Sequence, residues 1–310
     1  MPPGFNPVDY AVPGFVLLVL IEMLWARRTA PDSYEPRDTL VSLAMGTGSS
    51  VVGLLLAGSL AGLFYALYEY RLLEIGWQWW AWGLCFVLDD LAYYGFHRAA
   101  HRVRWFWASH VNHHSSQHYN LSTALRQTWT GTLALGFVFR LPLVLAGFHP
   151  AMVFFCGGIN LIYQFWFHTE AIGKCPRWFE AVMNTPSHHR VHHATNPVYL
   201  DRNYAGVFIV WDRMFGTFQP ELESQQIHYG VVKQLGSFNL IWTAFHEWIG
   251  IARDLWAAPW PHKLSYLWRE PGWSHDGSRD TSTAIRARWE AMQPKEAEPA
   301  PHAADELASV

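Results

Sequence analysis

Residues 40–65 read LVSLAMGTGSSVVGLLLAGSLAGLFY, and neither this run nor Ala66 after it carries a charge. About 20 such residues span the hydrocarbon core of a bilayer as a helix, where every backbone N–H and C=O must be satisfied internally. The run is therefore expected to be a membrane helix. Four further apolar runs accompany it: 11–26, interrupted by Glu22 and ended by Arg27-Arg28; 77–96, which reaches Asp89-Asp90; 129–148; and 150–168, set off by His149-Pro150. The first is short and lacks a small-residue cleavage site, so it reads as an anchor rather than a signal peptide. Composition agrees. Charged residues make up 15% of the chain, against about a quarter in soluble domains. The 18 Trp, 13 Tyr and 19 Phe suit membrane–water interfaces. A net charge of −3 supplies no basic field, which excludes nucleic acid as a partner.

Arg27, Arg28 and Arg37 follow the first run and place that loop in the cytoplasm by the positive-inside rule. A single crossing by 40–66 then puts 67–76 outside, and 77–96 returns the chain. Runs 129–148 and 150–168 make a hairpin, with Lys174, Arg177 and Arg190 on the cytoplasmic side again. Beyond residue 170 the sequence is largely soluble in character. Residues 203–218 suit packing on the membrane-side core, and 237–257 suits an amphipathic helix lying in the interface. From Asp276 the Ala-, Glu-, Pro- and Arg-rich sequence has little to bury. The expected fold is all-α: an integral-membrane helical bundle with four or five membrane-embedded helices and a cytoplasmic helical cap. It forms a single domain over 1–275, followed by a polar, disordered tail over 276–310. No internal repeat is present.

Five of the 17 histidines crowd into residues 97–114, HRAAHRVRWFWASHVNHH. His97 and His101 are i, i+4, so a helix puts them on one face about 5–6 Å apart. His110, His113 and His114 repeat that spacing, and so do His189, His192 and His193 in NTPSHHRVHHATN. His168 ends the last apolar run, where an ionisable group is a functional candidate by default. Helix caps or solvated side chains account for His149, His228, His246, His262 and His275. They do not account for three clusters, because nine neighbouring imidazoles without metal would repel on protonation and leave buried donors unmet. His118 and His188 are secondary candidates. Nine neutral nitrogens are too many for one ion and suit two with four or five ligands each. Iron, zinc, copper and nickel all accept such donors, and zinc can occupy a purified sample. Cys85, Cys156 and Cys175 are too few and scattered for an iron–sulfur cluster or a disulfide framework, so redox electrons must come from a separate donor.

Ligating histidines commonly donate their free N–H to a carboxylate or carbonyl. Asp90 lies two turns before His97, Glu170 follows His168, and Asn184, Asp201 and Asn203 flank the third cluster, so these five are candidates for that outer role. Trp105, Phe106, Trp107, Trp129, Phe165 and Trp166 are candidates for lining a lipid path or for an interfacial belt. The histidines alone leave open a membrane zinc-dependent lipid hydrolase and a non-catalytic metal-binding protein.

DDLAYYGFHRAAH, HHSSQHYNLSTALRQ, YQFWFHTE, NTPSHHRVHH and NYAGVFIVWDRMFGTF resemble the fatty acid hydroxylase superfamily, which includes the sterol desaturases, and within it the alkylglycerol monooxygenase branch. The resemblance covers residues 11 to 220 and is most specific over 89–218. It departs at His118 and Arg102, where relatives tend to carry acidic residues. It implies a non-haem di-iron monooxygenase, held by the nine histidines. Such an enzyme hydroxylates, or desaturates, a C–H bond of a sterol, fatty-acyl or alkylglycerol ether lipid with O2. Tetrahydrobiopterin or another external donor would supply electrons. The expected location is a bacterial inner membrane, with the metal site facing the cytoplasm.

Overall fold

A computed structural model describes residues 7–293. In chain order the helices are α1 (Pro7–Thr29), α2 (Pro36–Tyr68), α3 (Trp79–Arg102), α4 (Arg104–His114), α5 (Leu121–Ala124), α6 (Leu141–Ala146) and α7 (Pro150–Phe165). They continue with α8 (Arg177–Glu180), α9 (Pro186–His193), α10 (Val210–Met214), α11 (Leu240–Ala257), α12 (Ser265–Trp268) and α13 (Ser282–Met292). No β-strand forms among the described residues.

α1 and α2 are long and apolar enough to cross a membrane. Their apolar side chains face outward rather than into a core: Leu54 is 80% and Leu55 75% exposed. A soluble domain would leave that surface in water, so these helices mark a membrane protein. α3 carries Asp89, Asp90 and the first histidines, and α7 has only 16 residues.

The region expected to form one membrane helix over 129–148 does not. Residues 131–135 are turns, Gly136–Arg140 is a 3₁₀ segment, and only α6 is α-helical. The segment nevertheless runs beside α2 from Met45 to just past its C-terminal end. Trp129 Nε1 donates to the Met45 carbonyl at 2.9 Å, and Leu72 N–H, just past the other end of α2, donates to the Leu145 carbonyl at 2.7 Å. Arg140, inside that run, pairs with buried Asp89 at 2.6 Å. That pairing fixes the 3₁₀ segment against α3. Gly147 closes α6 at φ 117°, and a Cβ there would lie 2.1 Å from the Leu73 carbonyl oxygen. Gly147→Ala therefore meets both backbone strain and a clash. It is expected to cost about 1–3 kcal/mol, several degrees of thermal midpoint in detergent.

Buried polar ties fasten the membrane helices to the histidine-bearing side. Glu22 of α1 accepts from Tyr34 and Thr169 hydroxyls and from Leu121 N–H at 2.7 Å. Buried Arg126 donates to Asp38 Oδ1 at 3.0 Å and to the Asn112 carbonyl, which joins α2 to α4.

α13 lies inside the segment expected to be a disordered tail. Trp289 packs against the Val191–Tyr199 cluster, and Arg286 donates to the Leu200 carbonyl at 3.1 Å. One aromatic and one guanidinium with specific partners suffice to order a helix of otherwise polar composition. Residues 294–310 of that tail lie outside the described residues.

Candidate metal centre

Four pieces of chain deliver the clustered histidines. His97 and His101 lie on the last turns of α3, and His110, His113 and His114 on α4. His168 sits just past the end of α7, and His189, His192 and His193 lie on α9. α9 begins with Pro186 at its first turn, where no backbone donor is needed, and all eight of its residues are buried. The nine rings form two groups whose ligand atoms lie within 4.8 Å of one another: His97, His101, His110, His114 and His192; and His113, His168, His189 and His193.

The ring tautomers follow from their partners. Nδ1 of His97 lies 2.8 Å from the Tyr204 carbonyl, that of His168 2.8 Å from the Gln164 carbonyl, and that of His192 2.9 Å from the Arg202 carbonyl. A carbonyl only accepts, so each Nδ1 carries the hydrogen and each Nε2 presents a lone pair. Those lone pairs point at other imidazoles. His97 Nε2 lies 2.9 Å from His110 Nε2, and His168 Nε2 lies 3.0 Å from His189 Nε2 and 3.3 Å from His113 Nε2. A neighbouring ring with its hydrogen on Nε2 could donate to one such lone pair, whereas a bound cation satisfies several at once. Protons are a poor choice, because burial pushes the His113 imidazole down to about 4 and those of His110, His114, His168, His189, His192 and His193 well below their usual value. Neutral, inward-facing nitrogens in this number fit divalent transition metals.

The five outer candidates take different places. Asp201 faces the cluster directly, with Oδ1 3.5 Å from His101 Nδ1, and Oδ2 accepts from Arg102 at 3.2 Å. Asp201 and Asn203 both adopt φ 56°, a region that Asp and Asn tolerate better than most residues. They flank Arg202, whose carbonyl holds His192. Asn203 itself donates to the His188 carbonyl at 3.0 Å and not to a ring. Asp90 touches no histidine. It accepts from Val207 N–H, Phe208 N–H, Trp211 Nε1 and Asn160, and so clamps the loop whose Tyr204 carbonyl holds His97. Asn184 donates to the Ala205 and Gly206 carbonyls of the same loop. Glu170 is exposed and accepts from Tyr229 Oη at 2.9 Å. For Asp90, helical spacing suggested a histidine neighbour that the tertiary contacts replaced with a loop.

His118 and His188 stand apart from both groups. His118 Nδ1 lies 3.8 Å from Asp38, and His188 Nε2 lies 4.0 Å from Glu180. His149 caps α7 by accepting from Ala151 N–H. Of the six aromatic candidates, Trp107 packs on His101 and His114 at 5.2 and 5.6 Å. Phe106 meets Phe139, whereas Trp105, Trp129, Phe165 and Trp166 pack on Trp248, Phe245, Phe15 and Tyr163. They do not form one lining. Asp212 was not singled out in the sequence. It accepts from Tyr204 N–H and Ala205 N–H at 2.8 Å, and burial pushes its carboxyl up to about 6. It holds, at Tyr204 and Ala205, the same loop that Asp90 clamps at Val207 and Phe208. Its signal was its position as the one carboxylate inside the apolar stretch NYAGVFIVWDRMFGTF.

Asp201→Asn keeps the volume and removes the charge facing His101. It is expected to lower metal affinity roughly 10–100-fold, the usual cost of altering an outer partner. Titrating chelator against loaded wild-type and variant protein measures this; equal retention would detach Asp201 from the centre.

A family model described as Fatty acid hydroxylase matches residues 82–217, which contain all nine rings. Alkylglycerol monooxygenase of Danio rerio is 39% identical over 281 residues, 86% of this chain and 60% of that protein. The Homo sapiens protein of that name is 40% identical over 272 residues, again 86% and 60%. Cholesterol 25-hydroxylase of Homo sapiens is 26% identical over 145 residues, 44% of this chain and 50% of that protein. The chain thus spans about 60% of the length of the alkylglycerol monooxygenases it matches. No solved structure matches significantly. Residues 82–217 are a fatty acid hydroxylase domain, in a chain homologous to alkylglycerol monooxygenases over most of its length.

Proposed function

We propose that the chain is a membrane-bound, O2-dependent lipid hydroxylase with two iron ions. His97, His101, His110, His114 and His192 would hold one, and His113, His168, His189 and His193 the other. The observation that carries this reading is the division of nine imidazoles into a five and a four, which suits two ions and exceeds what a four-coordinate zinc site takes. Non-haem iron bound there would supply O2 activation and oxidation of a lipid C–H bond. The chain's own residues supply the setting. Carbonyls of Tyr204, Gln164 and Arg202 orient three rings, and the burial of α9 keeps His189, His192 and His193 from water. α1 and α2 hold the centre beside the bilayer, where a lipid can present its chain. The names of the most similar relatives point to an alkylglycerol ether lipid over a sterol or fatty-acyl substrate. With three cysteines in all, thiolate-bound redox clusters are out of reach, so electrons come from a separate donor, tetrahydrobiopterin or another. We place the enzyme in a bacterial inner membrane with this centre toward the cytoplasm, and α13 in the same domain as the centre, because it packs on the α9 region.

The test is lipid mass spectrometry of cells with and without the intact protein under ¹⁸O2. Label in a lipid alcohol, or in the aldehyde from ether cleavage, is the expected result. A product formed equally without O2 would replace the reading with a metal-dependent hydrolase. No product from metal-loaded protein would leave a non-catalytic metal-binding protein.

A further inference from the structure

We infer that Phe139 closes the lateral route by which a lipid tail reaches the metal centre, and that it selects straight hydrocarbon chains over branched ones. The inference rests on the hydroxylase reading above and assigns that site its entrance. Three observations meet at this residue.

The centre opens on one side only. Seven of the nine rings are buried, and the two that are not, His110 and His113, come one from each group. Both lie on α4, and Phe106 stands one turn before His110 on the same face. The open edge of the centre therefore continues along α4 to Phe106.

A row of half-buried rings covers that edge. Phe139 meets Phe106 at 5.7 Å and Phe96 at 5.8 Å, edge to face in both contacts. Phe96 meets Tyr93 at 6.3 Å, and Tyr93 lies 5.3 Å from His97. Phe139 is thus the outermost link of a series of apolar side chains that ends on the first histidine of the five-membered group.

The backbone carrying Phe139 is irregular from Trp129, bound at the Met45 carbonyl of α2, through the turns at 131–135 and the 3₁₀ segment to Arg140, and only then enters α6. Non-helical backbone at membrane depth persists only where it is buried in protein or lines a cavity. Leu135, just before the 3₁₀ segment, is held at φ 62°, an uncommon conformation for such a side chain and one that clusters at functional sites. Leu133 and Leu135 are 57% and 47% exposed, so this segment turns an apolar side outward while Phe139 turns inward. Displacing one ring from between two others opens a slot about one hydrocarbon chain wide. A straight tail fits it; a methyl branch does not.

The test uses full-length, metal-loaded protein in lipid nanodiscs. A straight-chain alkylglycerol bearing a diazirine in its tail is expected to label the peptides holding Phe139 and Phe96. Phe139→Ala should raise kcat/KM for a methyl-branched alkylglycerol relative to the straight one by about tenfold, the scale on which a single methylene is read in an apolar pocket. Metal per chain should stay unchanged. Phe139→Leu, which keeps the core filled, should shift the ratio in the same direction by less. Labelling that maps elsewhere, or an unmoved branched-to-straight ratio in folded variants, overturns the assignment. Labelling at Phe139 without any O2-dependent product would retain the entrance and remove the hydroxylase reading.

Discussion

His113→Ala is expected to abolish lipid turnover, exceeding the roughly 10–100-fold loss typical of outer partners, while the protein still inserts and folds. His113 keeps some exposure, so truncation there costs less packing than at a fully buried ring of the centre. It belongs to the four-membered group, so its loss leaves three imidazoles there. Occupancy should fall from two ions per chain toward one, read by elemental analysis of purified protein. His110→Ala gives the contrast. The five-membered group would keep four rings, enough for a closed coordination shell, so two ions should remain. Equal metal loss in both variants would contradict the five-and-four division, and full activity in His113→Ala would remove it from the centre. Stripping both ions re-exposes lone pairs about 3 Å apart, so the metal-free protein should unfold earlier, with a midpoint that rises with added metal.

The sequence showed some of this centre and hid the rest for identifiable reasons. Spacings of three and four residues become shared faces on any helix, so the rings of α3, α4 and α9 were legible as sets. Their sorting was not. α4 sends His110 and His114 to one group and His113 to the other, and α9 splits His192 from His189 and His193. That depends on the angles at which three helices meet, which no local pattern carries. The all-helical membrane character was equally plain from residues 40–65. The break at 131–140 was not, because Arg140 gains its partner Asp89 from 51 positions away. α13 escaped notice for the same kind of reason: one Trp and one Arg find partners on α9 and the loop beyond it.

Asp90→Ala is expected to be the most destabilising single change outside the histidines. The carboxylate is fully buried and accepts from two backbone N–H groups, the Trp211 indole and the Asn160 amide, at 2.8–2.9 Å. Removing it strands four donors at once, two of them fully buried, with a cost of about 3–5 kcal/mol by analogy with breaking a buried pair. A domain holds only about 5–15 kcal/mol in total, so the thermal midpoint should fall by roughly 10 °C and yield should drop. Asp90→Asn should recover only part, because its oxygen still accepts from one pair of donors while its amide turns a donor toward the other pair. Asp89, its neighbour, makes the useful comparison: its partner is Arg140. Asp89→Ala should disturb the 3₁₀ segment and leave the 204–211 loop in place. Asp90 clamps the strip of backbone that presents the Tyr204 carbonyl to His97, and Gly206 passes so close that a Cβ would lie 2.7 Å from the carboxylate. Loosening that strip frees the His97 ring, so Asp90→Ala should lose metal from the five-membered group first. If the variant unfolded at the wild-type temperature with both ions in place, the loop would be held by Asp212 and Asn184 alone.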